Sequence, residues 1–322
     1  RAQAPPRAAP EEPPRPATPP AAARGGPPAP APGPGAPAGA PDDGSGRLKL
    51  IRLSVNVGPA AARNRAIAAA TAPLLCILDA DDHFVDGRLG RLLSAPRTWD
   101  LIADDIIMVR GHEAGSAAGL VTGPGRPQRL TLATFVAGNI PRPGAYRREL
   151  GFLKPVMRRG FLERQGLRYD VRLRLGEDYA LYVEALAAGA VFAVTAPCGY
   201  VAVERANSLS AQHRTDDLAA ILAFDDAMLD RPGLTPDARA ALRAHRTATA
   251  KRWQHRRVLD RRRAQGYAAA VRELLGTPMA WRHILSVTLA AKLARLVPAA
   301  APDPEIRPRL LLGPERRLEP VR

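Results

Sequence analysis

The chain has 322 residues, with 47 Lys and Arg against 31 Asp and Glu, for a formal charge of +16. That length allows one large domain or two small ones, and the charge favours phosphorylated substrates, anionic membranes or nucleic acid as partners. With aromatic residues at 5%, the stacking platforms of single-stranded nucleic-acid binders are not expected, and no run of apolar residues is long enough to span a bilayer.

Cys76 and Cys198 both sit in apolar, strand-like surroundings and read as buried thiols in a reducing compartment, not as a disulfide framework. No signal peptide is evident, and the chain opens with Arg1, not Met, which leaves room for an earlier start.

Residues 1–47 form a Pro/Ala-rich segment ending in Asp42-Asp43-Gly44-Ser45. Such a segment cannot bury enough surface to offset its ordering entropy, so disorder is expected. Leu48 to Val55 alternates as a strand does, and Gly58-Pro59 turns into an alanine-rich helix over 60–70 that carries Arg63, Asn64 and Arg65. Leu74 to Leu78 is a short apolar run bounded by Pro73 and by Asp79, Asp81 and Asp82, which suits a buried strand. A helix around 86–94 and a strand from Trp99 to Val109 complete a β-α-β-α-β pattern that predicts a largely parallel sheet.

Residues 110–128 read as a loop. Helices are predicted over Thr131–Ala137, closed by Gly138, and over Gly160–Gln165, ended by Gly166. Phe152–Met157 is extended, Glu177–Ala188 is a helix capped by Gly189, and Val191–Thr195 and Tyr200–Val203 are strands. Residues 214–297 show helical spacing with breaks near Pro232-Gly233 and Gly276-Thr277-Pro278, and 298–322 reads as a disordered tail.

Two acidic clusters carry chemistry. Asp79-Ala80-Asp81-Asp82, at the carboxyl end of a strand, lies where open α/β sheets collect ligands. Oxygen ligands there suit a hard divalent cation holding a phosphate, although a polar turn after a core strand gives the same sequence. Gly176-Glu177-Asp178-Tyr179 opens a helix, where backbone amides favour charged acids; simple helix capping is the competing reading.

Three blocks in register resemble the family 2 glycosyltransferases with the GT-A fold. They are the run from Asn56 to Ile67, Leu78-Asp79-Ala80-Asp81-Asp82, and Gly176-Glu177-Asp178-Tyr179. Gly151-Phe152-Leu153-Lys154-Pro155, Gly166-Leu167-Arg168-Tyr169-Asp170 and the helical tail are similar, more narrowly, to bacterial transferases of succinoglycan-type exopolysaccharides.

The resemblance implies an α/β, Rossmann-like, mostly parallel GT-A domain over 48–213, a helical extension over 214–297, and an inverting transfer from a nucleotide-sugar, commonly a UDP-sugar, to a saccharide acceptor. It implies Mg2+ or Mn2+ on the donor diphosphate, with Asp81 as metal ligand. Asp79 is turned towards the ribose and shares the metal, and Asp82 supports either role. Asp178 becomes the general base, with Glu177 beside it. Arg63 is a candidate for the base or diphosphate, or an exposed helix charge. His213 is a loop residue over the donor, or a solvated histidine. Asn64 fixes the adjoining loop.

The chain departs from the family at its beginning, where the first strand and helix are absent. Asp42-Asp43-Gly44-Ser45 spells the family's second motif without the strand that should precede it. Asp43 is therefore a uracil-side candidate lacking its context, and 1–47 is expected to be a misassigned start. A non-catalytic binding or scaffolding member is the alternative function, and a nucleotidyltransferase a third. The expected setting is cytoplasmic, without nucleic acid, with a lipid-linked acceptor and a basic helical face resting on the anionic inner leaflet.

Overall fold

The computed structural model describes residues 47–110, 113–141, 149–204, 214–276, 281, 284–286, 289, 308–312 and 319–320. Asp43 and His213 therefore lie outside the described residues, as does nearly all of 1–47. Two compact units are distinguished, residues 1–55 and 56–322. In the first, the predicted strand from Leu48 to Val55 does not form, and Leu48, Leu50, Ile51, Leu53 and Val55 are exposed. Alternation is a pattern of side chains, and without a ladder it does not hold an extended backbone.

The second unit is mixed α/β. In chain order it contains α1 (Gly58–Ala69), β1 (Leu74–Cys76), β2 (His83–Phe84), α2 (Arg88–Leu93), β3 (Leu101–Asp104), β4 (Ile107–Arg110), β5 (Gln128–Leu130), α3 (Leu132–Ala137), β6 (Val156–Arg158), α4 (Arg159–Arg164), α5 (Glu177–Ala187), β7 (Phe192–Thr195), β8 (Tyr200–Glu204), α6 (Thr215–Leu229), α7 (Pro236–Leu275), β9 (Arg309–Leu310) and β10 (Glu319–Pro320). Short 3-10 helices cover Glu113–Leu120, where a loop is predicted, and Leu150–Phe152.

One sheet runs β1-β6-β3-β7-β5-β10 and the other β2-β8-β4-β9. The expectation of a largely parallel sheet is corrected. Among the described residues only β3–β7 and β4–β8 are parallel, and β1 is an edge strand antiparallel to β6. The single strand predicted from Trp99 to Val109 is two strands in different sheets, broken at its buried acids. Asp104 accepts from Arg88 and from the amides of Cys198 and Tyr200, while Asp105 accepts from Leu312 N. A carboxylate buried at a bend is stable only when its lone pairs are met.

Of the predicted tail, residues 308–312 and 319–320 are described, and the rest of 298–322 lies outside the described residues. Residues 309–310 pair with β4, residues 319–320 pair with β5, and Leu311 is fully buried.

The main core lies between the six-stranded sheet and α3, α5 and α6, with Phe135, Tyr182 and Phe192 meeting edge-on or tilted at centroid distances of 5.5 to 6.1 Å. Leu218, Ile221, Phe224 and Met228 of α6 and Leu242 of α7 belong to this same core. The sequence boundary at 213/214 is therefore a change of composition and not of packing.

Candidate active site

α1 opens on Gly58, whose φ of +79° is the left-handed region, with its amide donating to Asn56 Oδ1 at 3.0 Å and Pro59 beginning the helix. One turn later Asn64 makes a two-bond clamp, donating to Tyr169 O at 2.8 Å and accepting from Tyr169 N at 2.9 Å. The clamp reaches a segment distant in sequence, not the loop adjoining α1, and it brings the stretch before α5 against α1.

Arg63 is not the exposed helix charge that the sequence allows. It is mostly buried, and its guanidinium donates to Asp79 Oδ1 at 2.6 Å, Glu177 Oε1 at 2.8 Å and Asp178 Oδ1 at 3.0 Å. With three carboxylates on it, Arg63 is a bridge between the two acidic clusters.

A second bridge was not assigned from sequence. Lys154 Nζ is buried and sits 2.5 Å from Asp178 Oδ2 and 3.0 Å from Asp79 Oδ2. Its signal was a lysine inside the apolar run Phe152-Leu153-Lys154-Pro155, a place for a cation only if acids converge on it. Two cations thus meet three carboxylates, leaving negative charge in excess. Burial opposes ionisation of Asp79, yet Lys154 and Arg63 outweigh it and hold the carboxyl below its usual range. Burial, and then the neighbouring Asp178, push Glu177 up against the pull of Arg63 and Lys154. Burial works against the Lys154 charge, but Asp178 and Asp79 hold the ammonium above its ordinary value.

The acidic turn after β1 is closed by Asp82 N donating to Asp79 O at 3.1 Å. Asp82 is held by Tyr200 Oη at 2.7 Å and Val203 N at 3.0 Å, and burial nonetheless raises its pKa. Behind the turn, fully buried Arg88 pairs with Asp104 at 2.6 Å and donates to Lys154 O at 3.1 Å. Its guanidinium is centred 4.4 Å from the Phe84 ring and 5.0 Å from the Tyr200 ring. Arg88 thereby fixes the backbone that carries Lys154.

α5 begins at Gly176, with φ +82°, where an added Cβ would be strained and would press Ile221 at 3.3 Å. Gly151 lets the 3-10 turn before Lys154 approach α5, since a Cβ there would lie 3.0 Å from Asn139 Oδ1 and 3.4 Å from Tyr179 Cβ. From the other side α6 and α7 brace this corner. Arg174 pairs with Asp217, and Tyr179 Oη donates to Asp225 at 3.0 Å while stacking on His245, itself 2.7 Å from Asp225.

Among the described residues no group of three or more acidic, His or Cys side chains is disposed to hold a metal by itself. Both oxygens of Asp79 already meet cations. A magnesium-type ion needs only one or two protein carboxylates when a diphosphate supplies the rest. Asp81 and Asp79, on the turn after β1, are the carboxylates that would share such an ion with a diphosphate.

A mixed α/β scaffold here draws acids from a strand end and a helix start onto two shared cations, a polar, charged corner of the kind that active sites use. The model of "Glycosyl transferase family 2" matches residues 39–150. The chain is 47% identical over 265 residues to the succinoglycan biosynthesis protein ExoU of Rhizobium meliloti (strain 1021), covering 82% of this chain and 77% of that protein. It is 34% identical over 303 residues to ExoO of the same strain, covering 84% and 81%. The chain belongs to the family 2 glycosyltransferases and is a glycosyltransferase. Among solved structures, S. aureus TarS 1-349 is similar with a TM-score of 0.43 at 14% identity, covering 72% of this chain; the chain spans 60% of the length of that structure. TarS 1-349 in complex with UDP-GlcNAc gives 0.40 at 16% identity.

Proposed function

We propose that the enzyme transfers a sugar from a UDP-sugar to a saccharide acceptor of a succinoglycan-like polysaccharide, with inversion at the anomeric carbon. One observation carries the reading: donor-side Asp79 and acceptor-side Asp178, far apart in sequence, meet on the same two cations, Arg63 and Lys154.

Asp178 takes the proton of the acceptor hydroxyl as that oxygen bonds to the anomeric carbon. The bond from that carbon to the diphosphate oxygen breaks on the opposite face, and single displacement inverts the centre. Asp178 Oδ1 accepts from Arg63 and Oδ2 from Lys154, which fixes the carboxylate while its four lone-pair sites leave capacity for the incoming proton. Glu177 keeps Arg63 oriented between the clusters. Asp79 faces the donor ribose, and Asp82, held by Tyr200 and Val203, fixes the turn. Asp81 would hold Mg2+ or Mn2+, which when bound supplies charge neutralisation on the departing diphosphate.

The two cysteines are free thiols, which suits a reducing cytoplasm; a lipid-linked saccharide is the acceptor proposed for that setting. The test is UDP release from a panel of UDP-sugars with oligosaccharide acceptor and Mn2+. Release with one donor is expected, and chelation should lower it by roughly a hundredfold or more. No release with any donor would return the chain to the binding or scaffolding alternative.

A further inference from the structure

At its far end α7 folds back on itself. Gly266 has φ 80° and ψ −174°, and beyond it Glu273 pairs with Arg257 at 2.8 Å. In a straight helix those residues would be roughly 24 Å apart. The two limbs form a hairpin whose cleft, about 450 Å³, is lined by Arg257, Arg261, Gln265, Arg272 and Glu273.

The returning limb is amphipathic. Ala270 is buried, whereas Tyr267, Val271 and Leu275, at successive helical turns, are 76%, 53% and 61% exposed. Leu285 and Leu289 continue the exposed apolar character at 61% and 59%. The hairpin is strongly basic, with eight Lys and Arg against two acids between Lys251 and Leu275, and Arg262 lies beside the stripe, 5.7 Å from the Tyr267 ring centre.

We propose that this hairpin is a docking surface for an anionic lipid bilayer, with Tyr267, Val271 and Leu275 entering the headgroup–acyl boundary and the surrounding arginines meeting lipid phosphates. The inference goes beyond the sugar-transfer reading and does not depend on it. An apolar stripe flanked by cations is complementary to a surface that is anionic outside and apolar beneath. A second copy of the chain would bring +16 against +16, and nucleic acid offers the stripe nothing. No helix among the described residues is long and apolar enough to cross a membrane, so docking here means lying on the surface.

The test is co-sedimentation of the full chain with phosphatidylcholine vesicles and with vesicles holding roughly 30% phosphatidylglycerol. Binding to the anionic vesicles alone, weakened by salt, is expected. Arg261→Gln/Arg262→Gln/Arg263→Gln should lower the partition roughly a hundredfold. Tyr267→Ser/Val271→Ser/Leu275→Ser should lower it at least tenfold, on the order set by the apolar area withdrawn. Circular dichroism and sugar transfer to a soluble acceptor should be unchanged in both variants. Equal binding to both vesicle types, wild-type binding by either variant, or no binding by the wild-type chain would each overturn the proposal. So would loss of a dimer in the serine variant with vesicle binding intact, which would make the stripe a self-interface.

Discussion

The acidic corner where α1, β1 and α5 meet and the hairpin at the end of α7 are both rich in cations, and they treat them oppositely. In the corner, Arg63 and Lys154 are largely buried and each touches two or more carboxylates. At the hairpin, cations outnumber acids and Arg263 is two-thirds exposed. Burial is permitted only to charges whose partners are supplied by the fold, so the corner's cations are internal parts of the fold that fix its carboxylates in place. An excess of cations over acids on an exposed hairpin presents a positive surface to something outside the molecule.

That contrast can be broken most easily from its buried side. Lys154→Met strands Asp79 and Asp178 in a site built around a cation, and should cost about 3–5 kcal/mol in urea unfolding, with transfer activity lost as well. A result within experimental error of wild type would mean that the corner is far wetter than its burial indicates.

The next effect is on acid stability. Asp79 has a folded pKa below its unfolded value of about 3.9, so its contribution is present above that pH and is lost as pH falls through the depressed value. Glu177, raised, has the opposite sign, and its contribution fades as pH rises through its elevated folded value. The unfolding midpoint should therefore fall on acidification below about pH 4, and Asp79→Asn should make that acid limb shallower. The smallest effect belongs to the hairpin, where Arg261→Gln/Arg262→Gln/Arg263→Gln should leave the melting temperature within roughly 1 °C.

Much of the corner was legible in the sequence because each acid sits beside a chain-direction signal. A short apolar run stops at Asp79, and Gly176 opens a helix on Glu177 and Asp178. What joins them was not legible. Lys154, Arg88 and the Tyr179–Asp225–His245 contact depend on which distant segments fold onto one another, and no local period encodes that. The strand from Trp99 to Val109 failed as a single element for a related reason. Its apolar run is continuous in sequence, but Asp104 and Asp105 are buried only by bending the chain between two sheets, where amides from β8 and from the 311–312 segment can reach them. Likewise the tail, rich in proline and arginine, hides Leu310-Leu311-Leu312, three apolar residues that find a place beside β4 only once that strand exists.

The central claim is that Asp178 removes the acceptor proton while the rest of the corner holds the donor. Comparing wild type with Asp178→Asn, by UDP release for kcat and by calorimetric titration for the UDP dissociation constant, tests it most directly. In Asp178→Asn, kcat should fall by roughly 10²–10⁴-fold while UDP affinity changes little. A variant that keeps its kcat, or that loses UDP binding in proportion to its rate, would contradict it.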